Sequence, residues 1–333
     1  MFCGTRWLED EKVASRALEI WDDVIKMCNH WESLAKSKRP SSKSYKTLLE
    51  ATKDTLMKAK LHFFCFVAKA VSPFLSIYQT TKPMLPFFYD DLHDVTRLLM
   101  DKIIVSSVLN EAKSATALCK IDIAKKENLL IKPNVGFAAT AEINELQKKD
   151  KVTTTSLKTF RKNCVIFLSS MLSKLLERSP LKYAVVRNAS CISPQVIATK
   201  PDLSKKYLKN FLERMVQSKR ISAKDADQVQ TEFTKFHQST VLQHRTLFQN
   251  FDKLNDRLDK FYFDDVSVKD FPKFERIVMM ILCLGHGQAG VERGFRFDLI
   301  CSKVFSQDIQ CLKPCLNWVI LDDNKYFNTY SCI

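Results

Sequence analysis

The segment Leu284-Gly-His-Gly-Gln-Ala-Gly-Val-Glu-Arg-Gly-Phe295 decides how the rest of the chain is interpreted. It follows an apolar run, Ile277 to Leu284, and three glycines and a histidine separate that run from Val291-Glu-Arg-Gly-Phe295. This order predicts a helix end, a turn that glycine permits, and a new helix with a carboxylate close to its start. The pattern alone indicates a local structure and leaves the function open.

The composition predicts a mainly α-helical globular protein. The chain has 333 residues, enough for a large core, and 46% of them are hydrophobic, which argues against wholesale disorder. Only 6 glycines and 10 prolines interrupt runs rich in Leu, Lys, Phe and Ala. Pro73 is expected to kink or break a helix, and residues 128–140 are expected to form a loop. Apolar periodicity and capping residues predict helices at about 11–37, 45–78, 91–118, 154–178, 202–218, 223–248, 252–263 and 274–284.

The chain is strongly basic, with a net charge of +15. Residues 101–200 hold most of the excess, since they carry 17 Lys and Arg against 8 Asp and Glu. Such an excess suits a polyanion, most often nucleic acid, and a solvated basic surface is the alternative. The candidate nucleic-acid-binding residues of this zone are Lys125, Lys126, Lys148, Lys149, Lys151, Arg161 and Lys162.

Other classes of function find little support in the sequence. The 11 cysteines are scattered and odd in number, which predicts reduced thiols in the nucleus or cytoplasm. Cys311 and Cys315 form a single close pair, too little for a zinc site. Because no signal peptide, membrane-length apolar run, phosphate-binding loop or nucleophile motif occurs, we expect no membrane contact, cofactor or metal. Asp90, Asp91 and Asp94 are expected at a helix start, where carboxylates complement the helix dipole.

Two segments resemble motifs of the hAT-superfamily transposases. Val291 to Phe295 resembles their Glu-Arg-x-Phe signature, and Thr5-Arg6-Trp7 resembles the Thr-Arg-Trp at the start of their helical insertion domain. The resemblance implies a multi-helix insertion domain, followed by the C-terminal helices of an RNase H-like fold whose sheet is missing here. It divides the chain into an insertion-like domain (1–265), a remnant of the C-terminal dimerisation region (266–298) and a divergent tail (299–333).

The resemblance also implies roles for individual residues. Glu292 corresponds to the third acid of an Asp-Asp-Glu metal site, and Arg6 and Trp7 correspond to residues near the transposon-end DNA. An arginine can hold a phosphate and an indole can stack on an unpaired base, whereas a tryptophan that only packs a helix is the alternative. The two catalytic aspartates have no counterpart in this sequence. Glu292 is therefore expected to be vestigial, and Mg²⁺ is expected only if the chain belongs to a longer active transposase.

Taken with the charge, the resemblance predicts a transposon-derived, non-catalytic helical protein of the nucleus that binds DNA, dimerises, or does both. A homodimer and a pair with another hAT-derived protein are both open. One alternative is a protein-interaction scaffold or transcription regulator without DNA contact. The other is a fragment of a longer, active Asp-Asp-Glu transposase.

Overall fold

The computed structural model describes residues 7–80 and 82–284, with residues 7–9 described by their backbone alone. This part of the chain is mainly helical, as predicted, and its only β pairing is an isolated bridge between Ile104 and Leu129. Its helices are α1 (Trp7–Ser33), α2 (Lys43–Lys53), α3 (Met57–Tyr78), α4 (Leu85–Met100), α5 (Ser106–Glu111), α6 (Ala115–Leu118), α7 (Phe137–Lys148), α8 (Thr154–Arg178), α9 (Ala184–Asn188), α10 (Pro194–Thr199), α11 (Pro201–Gln217), α12 (Ala223–Phe236), α13 (Arg245–Gln249), α14 (Leu258–Lys260) and α15 (Pro272–Cys283).

Helix α3 lies at the centre of the core. It packs against α1, α4 and α7, and its Phe63, Val67 and Val71 are completely buried. A helix surrounded by neighbours is apolar around most of its circumference, which explains its composition. By length and composition α3 is also long and apolar enough to cross a membrane, although 56% of that apolar stretch is buried inside the fold. The expectation that the chain makes no membrane contact stays a prediction.

The single helix predicted for residues 45–78 is wrong, because a short break separates α2 from α3. Asp54 makes the break. Its carboxylate accepts a hydrogen bond from the backbone N–H of Leu56 (2.9 Å) and forms an ion pair with Lys60 (2.6 Å). Local bonding of this kind favours a turn over a continuing helix. Pro73, in contrast, does not end α3. The helix continues for five more residues, to Tyr78.

Helix α4 begins earlier and ends earlier than the predicted helix 91–118. Pro86 lies at its second position, where the missing N–H leaves no intrahelical bond unmade. The predicted location of the three aspartates at a helix start is therefore wrong, since they lie in the second and third turns. Asp91 instead joins distant elements: it accepts a hydrogen bond from the Tyr78 hydroxyl (2.8 Å) and pairs with Lys253 (2.5 Å).

The helices that have local capping signals begin where the sequence places them. The Thr153 hydroxyl accepts a hydrogen bond from a first-turn N–H of α8 (3.1 Å), and Ser222 does the same for α12 (3.0 Å). The loop predicted for residues 128–140 is wrong from Phe137 onward, where α7 begins. Helix α12 also ends sooner than predicted, and a π-helical turn starts at His237.

Helix α15 is attached to α12 by a cap from another element. The backbone N–H groups of Lys273 and Phe274 both donate to the Glu232 carboxylate, at 2.7 and 2.9 Å. Lys273 also donates to Asp225 at 2.5 Å, and with the Ser222 hydroxyl it lowers the pKa of that carboxyl to about 2. The apolar face of α15 joins the same hydrophobic core as α3 and α8. The division of the chain at residue 265 rests on the resemblance and stays a prediction.

Candidate nucleic-acid interface

Most of the predicted cationic residues lie close along the chain to the turn between α7 and α8. Helix α7 ends in a Schellman motif: the N–H of Lys151 donates to the carbonyl of Leu146 (3.0 Å), and the N–H of Asp150 donates to that of Gln147 (3.1 Å). Asp150 adopts the left-handed conformation (φ 51°) that this motif requires. Because Thr153 then caps α8 directly, the end of α7 and the start of α8 are held together by local bonds.

We call the cations beside this turn the turn cluster. On α8 the spacing of 158, 161 and 162 puts three of them on one helical face, one turn apart. Arg161 is half-buried and the others are exposed. The members of the turn cluster are Lys148, Lys149, Lys151, Lys158, Arg161 and Lys162.

Only part of the charge of the turn cluster is neutralised within the described chain. Glu145 pairs with Lys148 (3.2 Å) and with Lys149 (3.7 Å), and the hydrogen bond from Lys148 is the main reason that the pKa of its carboxyl is lowered. One carboxylate thus serves two cations. Lys151 and Lys162 have no ion pair in the part of the chain that the structure describes. Both ammonium groups are exposed to solvent.

The other two predicted lysines lie in a different loop. Lys125 and Lys126 sit at a 3-10 turn that the bridge between Ile104 and Leu129 holds in place. Both side chains are exposed, and Lys125 pairs with Glu127 at 3.7 Å. They therefore belong to the basic zone of the sequence without sharing the turn between α7 and α8.

The residues singled out by the hAT resemblance are outside what the structure describes. Arg6 and Glu292 lie beyond the described ranges, and Trp7 is described only as the first backbone position of α1. Their implied roles stay predictions. Within 10–80 and 82–284, no three His, Cys, Asp or Glu side chains are grouped so that they could hold a metal ion.

A cavity at the opposite end of α7 was missed by the sequence reasoning. It encloses about 350 Å³ and lies between α1, α3 and the first turn of α7. Leu18 and Phe66 are among its apolar walls, Phe137 lies at its edge, and His62 and Lys69 supply polar groups. The sequence feature that points to it is Gly136-Phe137, a glycine directly before a large aromatic residue within the predicted loop.

Gly136 explains how the first turn of α7 reaches α3. Its φ is +87°, a conformation that side-chain-bearing residues rarely adopt, and a Cβ at this position would lie 2.8 Å from the Phe66 ring. The close approach places Phe137 at the mouth of the cavity, where its side chain is 96% exposed. Lys102 does not line the cavity but is buried beside Phe66, with its Nζ 4.0 Å from the centre of that ring.

The titratable groups of the cavity are neutral or cationic at neutral pH. Burial lowers the pKa of the His62 imidazole; Lys58 and Lys69 lower it further, and Glu142 opposes them. The imidazole is thus uncharged and can donate one hydrogen bond and accept another. Burial raises the pKa of the Cys65 thiol, which stays protonated and unreactive. Lys69 is two-thirds exposed and lies 3.8 Å from Glu11.

Comparisons with protein-family models, with curated proteins and with solved structures give no match to this chain. The likeness to hAT transposases therefore rests on sequence motifs, of which those at Thr5–Trp7 and Val291–Phe295 are the most specific.

Proposed function

We propose that this chain is a transposon-derived, non-catalytic helical protein of the nucleus that binds DNA through the turn cluster. The observation that supports this most directly is the set of exposed cations on both sides of the turn between α7 and α8, of which Lys151 and Lys162 lack an ion pair within the described chain. Lysine and arginine that neutralise phosphates release bound counterions, and this release drives sequence-independent binding to DNA.

The fold and family parts of the proposal rest on the sequence motifs. In this interpretation the described helices up to residue 265 belong to the insertion domain of a hAT-like protein, and α15 belongs to the remnant of the C-terminal dimerisation region (266–298). Glu292 is then a remnant of the metal site. Hydrolysis of a phosphodiester by two metal ions needs several carboxylates to hold both ions, and a single glutamate cannot do so.

The proposal predicts that binding depends on the turn cluster and on salt. We expect the affinity of the full chain for a short DNA duplex, measured by fluorescence anisotropy, to fall steeply as the salt concentration rises. The triple variant Lys151→Glu, Lys158→Glu and Lys162→Glu should bind much more weakly. A plot of the logarithm of its binding constant against the logarithm of the salt concentration should also be less steep. The slope should change by about one for each phosphate that the protein no longer neutralises.

A matched control uses three exposed lysines outside the basic zone. Lys205→Glu, Lys206→Glu and Lys224→Glu change the net charge by the same amount but lie on α11 and α12. Equal losses of affinity in the two triple variants would mean that only the net charge matters. A wild-type affinity that does not respond to salt would contradict the proposal.

A further inference from the structure

Phe137 is exposed in a way that the fold itself does not explain. The residue is 96% exposed, although it lies at the edge of a cavity with apolar walls. The fold therefore does not gain the stability that burying a phenylalanine side chain would give. Exposed aromatic side chains next to a concave apolar surface are typical of binding sites.

The volume and the lining of the cavity limit what it can hold. About 350 Å³ is at the lower end of the range for small-molecule sites and fits one flat ring system. Phe66, Leu18 and Phe137 offer contact to the faces and edges of a ring, while His62 offers a donor and an acceptor. Lys69 adds a cation at the rim, where Glu11 lies 3.8 Å away and a phosphate would have to share the ammonium group with it. An aliphatic side chain of a protein partner would fill the apolar part but leave the donor and the acceptor of His62 unused.

From these contacts we infer that the cavity binds an unpaired nucleobase of single-stranded DNA, stacked on Phe137 with its polar edge toward His62 and its phosphate near Lys69. The inference rests on the proposed DNA binding and adds a base-binding subsite to it. Stacking on an aromatic ring tolerates any base, because every base has a π face. The net charge of +15 favours a nucleic acid over a neutral ligand.

The position of the cavity relative to the turn cluster fits one continuous strand. Phe137 is the first residue of α7 and Lys148 is the last, so the two sites lie at opposite ends of a 12-residue helix. Such a helix is about 18 Å long. A strand that follows α7 would therefore contact the cavity with one base and the turn cluster with phosphates several nucleotides away.

The test uses a short single-stranded DNA that contains one fluorescent adenine analogue, whose emission is quenched when it stacks on an aromatic ring. We expect the full chain to quench the emission and Phe137→Ala to abolish the quenching. Phe137→Ala should also weaken binding about tenfold, within the range measured for base stacking on aromatic side chains. The slope of affinity against salt should not change, because the same phosphates remain neutralised. Phe137→Trp should keep both signals.

Two further variants make the result specific to the cavity. Ile131 is 99% exposed and belongs to the same loop region, but it does not line the cavity, so Ile131→Ala should behave like the wild type. Ala138 is an exposed residue that does line it, so Ala138→Leu, which adds volume without an aromatic ring, should block base entry and remove the quenching.

The outcomes separate this inference from the proposed function. Salt-dependent binding that needs the turn cluster, together with unchanged quenching and affinity in Phe137→Ala, would overturn the base-binding site alone and leave the exposed ring to a protein contact. If no single-stranded DNA binds the wild type while duplex binding persists, the inference also fails. Loss of all DNA binding in the wild type would overturn both.

Discussion

At the scale of single residues, Lys102 is a charged side chain buried in the apolar core. Its side chain is 4% exposed, and its Nζ lies over the Phe66 ring at 4.0 Å, without an ion pair in the described chain. Burial lowers the pKa of this amine, and the charge of Asp101 only partly opposes the effect. A cation over a desolvated ring gains about 2 kcal/mol, whereas removing an ammonium from water costs several. We therefore expect Lys102→Met, which keeps the volume, to raise the free energy of unfolding at pH 7 by about 1 kcal/mol.

Because the pKa of Lys102 is lowered in the folded chain, the gain in stability from Lys102→Met depends on pH. The unfolded chain has the ordinary lysine pKa of about 10.4 and the folded chain a lower one, so the unfolded state binds more protons between the two values. The stability contributed by Lys102 consequently rises with pH through that window, and the advantage of Lys102→Met should shrink toward pH 10. Urea unfolding at both pH values measures this, with the exposed Lys113→Met as control. A loss of stability in Lys102→Met would show that the cation–π contact dominates.

At the scale of elements, α15 is held by a cap that another helix supplies. Its first turn contains Pro272, which has no N–H, and the next two N–H groups both bind the Glu232 carboxylate of α12. Losing an N-terminal cap costs about 1 kcal/mol. We expect Glu232→Ala to cost about 1–2 kcal/mol and to speed hydrogen exchange in α15 more than in α3, since this substitution removes two hydrogen bonds to a charged group.

Glu232→Gln separates the hydrogen bonds from the charge, because its amide oxygen can still accept from both N–H groups. Its cost should be smaller than that of Glu232→Ala. Glu275→Ala removes a carboxylate from the same turn while the cap from α12 stays in place, and it should leave exchange in α15 nearly unchanged. Equal protection of α15 in Glu232→Ala and the wild type would contradict the assignment of this cap.

What the sequence reveals at this scale depends on how local each signal is. Thr153 and Ser222 cap the helices that follow them within four residues, so the starts of α8 and α12 are predictable. The turn cluster is predictable for the same reason, since its members are neighbours along the chain. The cap from Glu232 crosses some forty residues, and the cavity needs α1, α3 and α7 together, with Gly136 against Phe66. No pattern in a short window of sequence contains such contacts.

At the scale of the whole molecule, the proposed function includes DNA binding but not DNA cleavage. The proposed binding needs only exposed cations and an aromatic platform, and the described helices provide both in the turn cluster and Phe137. Cleavage needs two metal ions held between several carboxylates, and Glu292 is the single acid that the hAT resemblance assigns. We therefore expect the purified chain to bind a supercoiled plasmid without nicking it in the presence of Mg²⁺ or Mn²⁺.

The variant Glu292→Gln makes a positive result in that assay interpretable. Nicking by the wild type that Glu292→Gln abolishes would mean that other carboxylates of this chain complete the metal site, and the non-catalytic proposal would be wrong. Nicking that persists in Glu292→Gln would come from a different site or from a contaminating nuclease. If neither protein nicks the plasmid while both shift its mobility with the same salt dependence, Glu292 contributes nothing to DNA binding. The affinity of the molecule for DNA would then come from its basic helices, without a contribution from the Glu292 carboxylate.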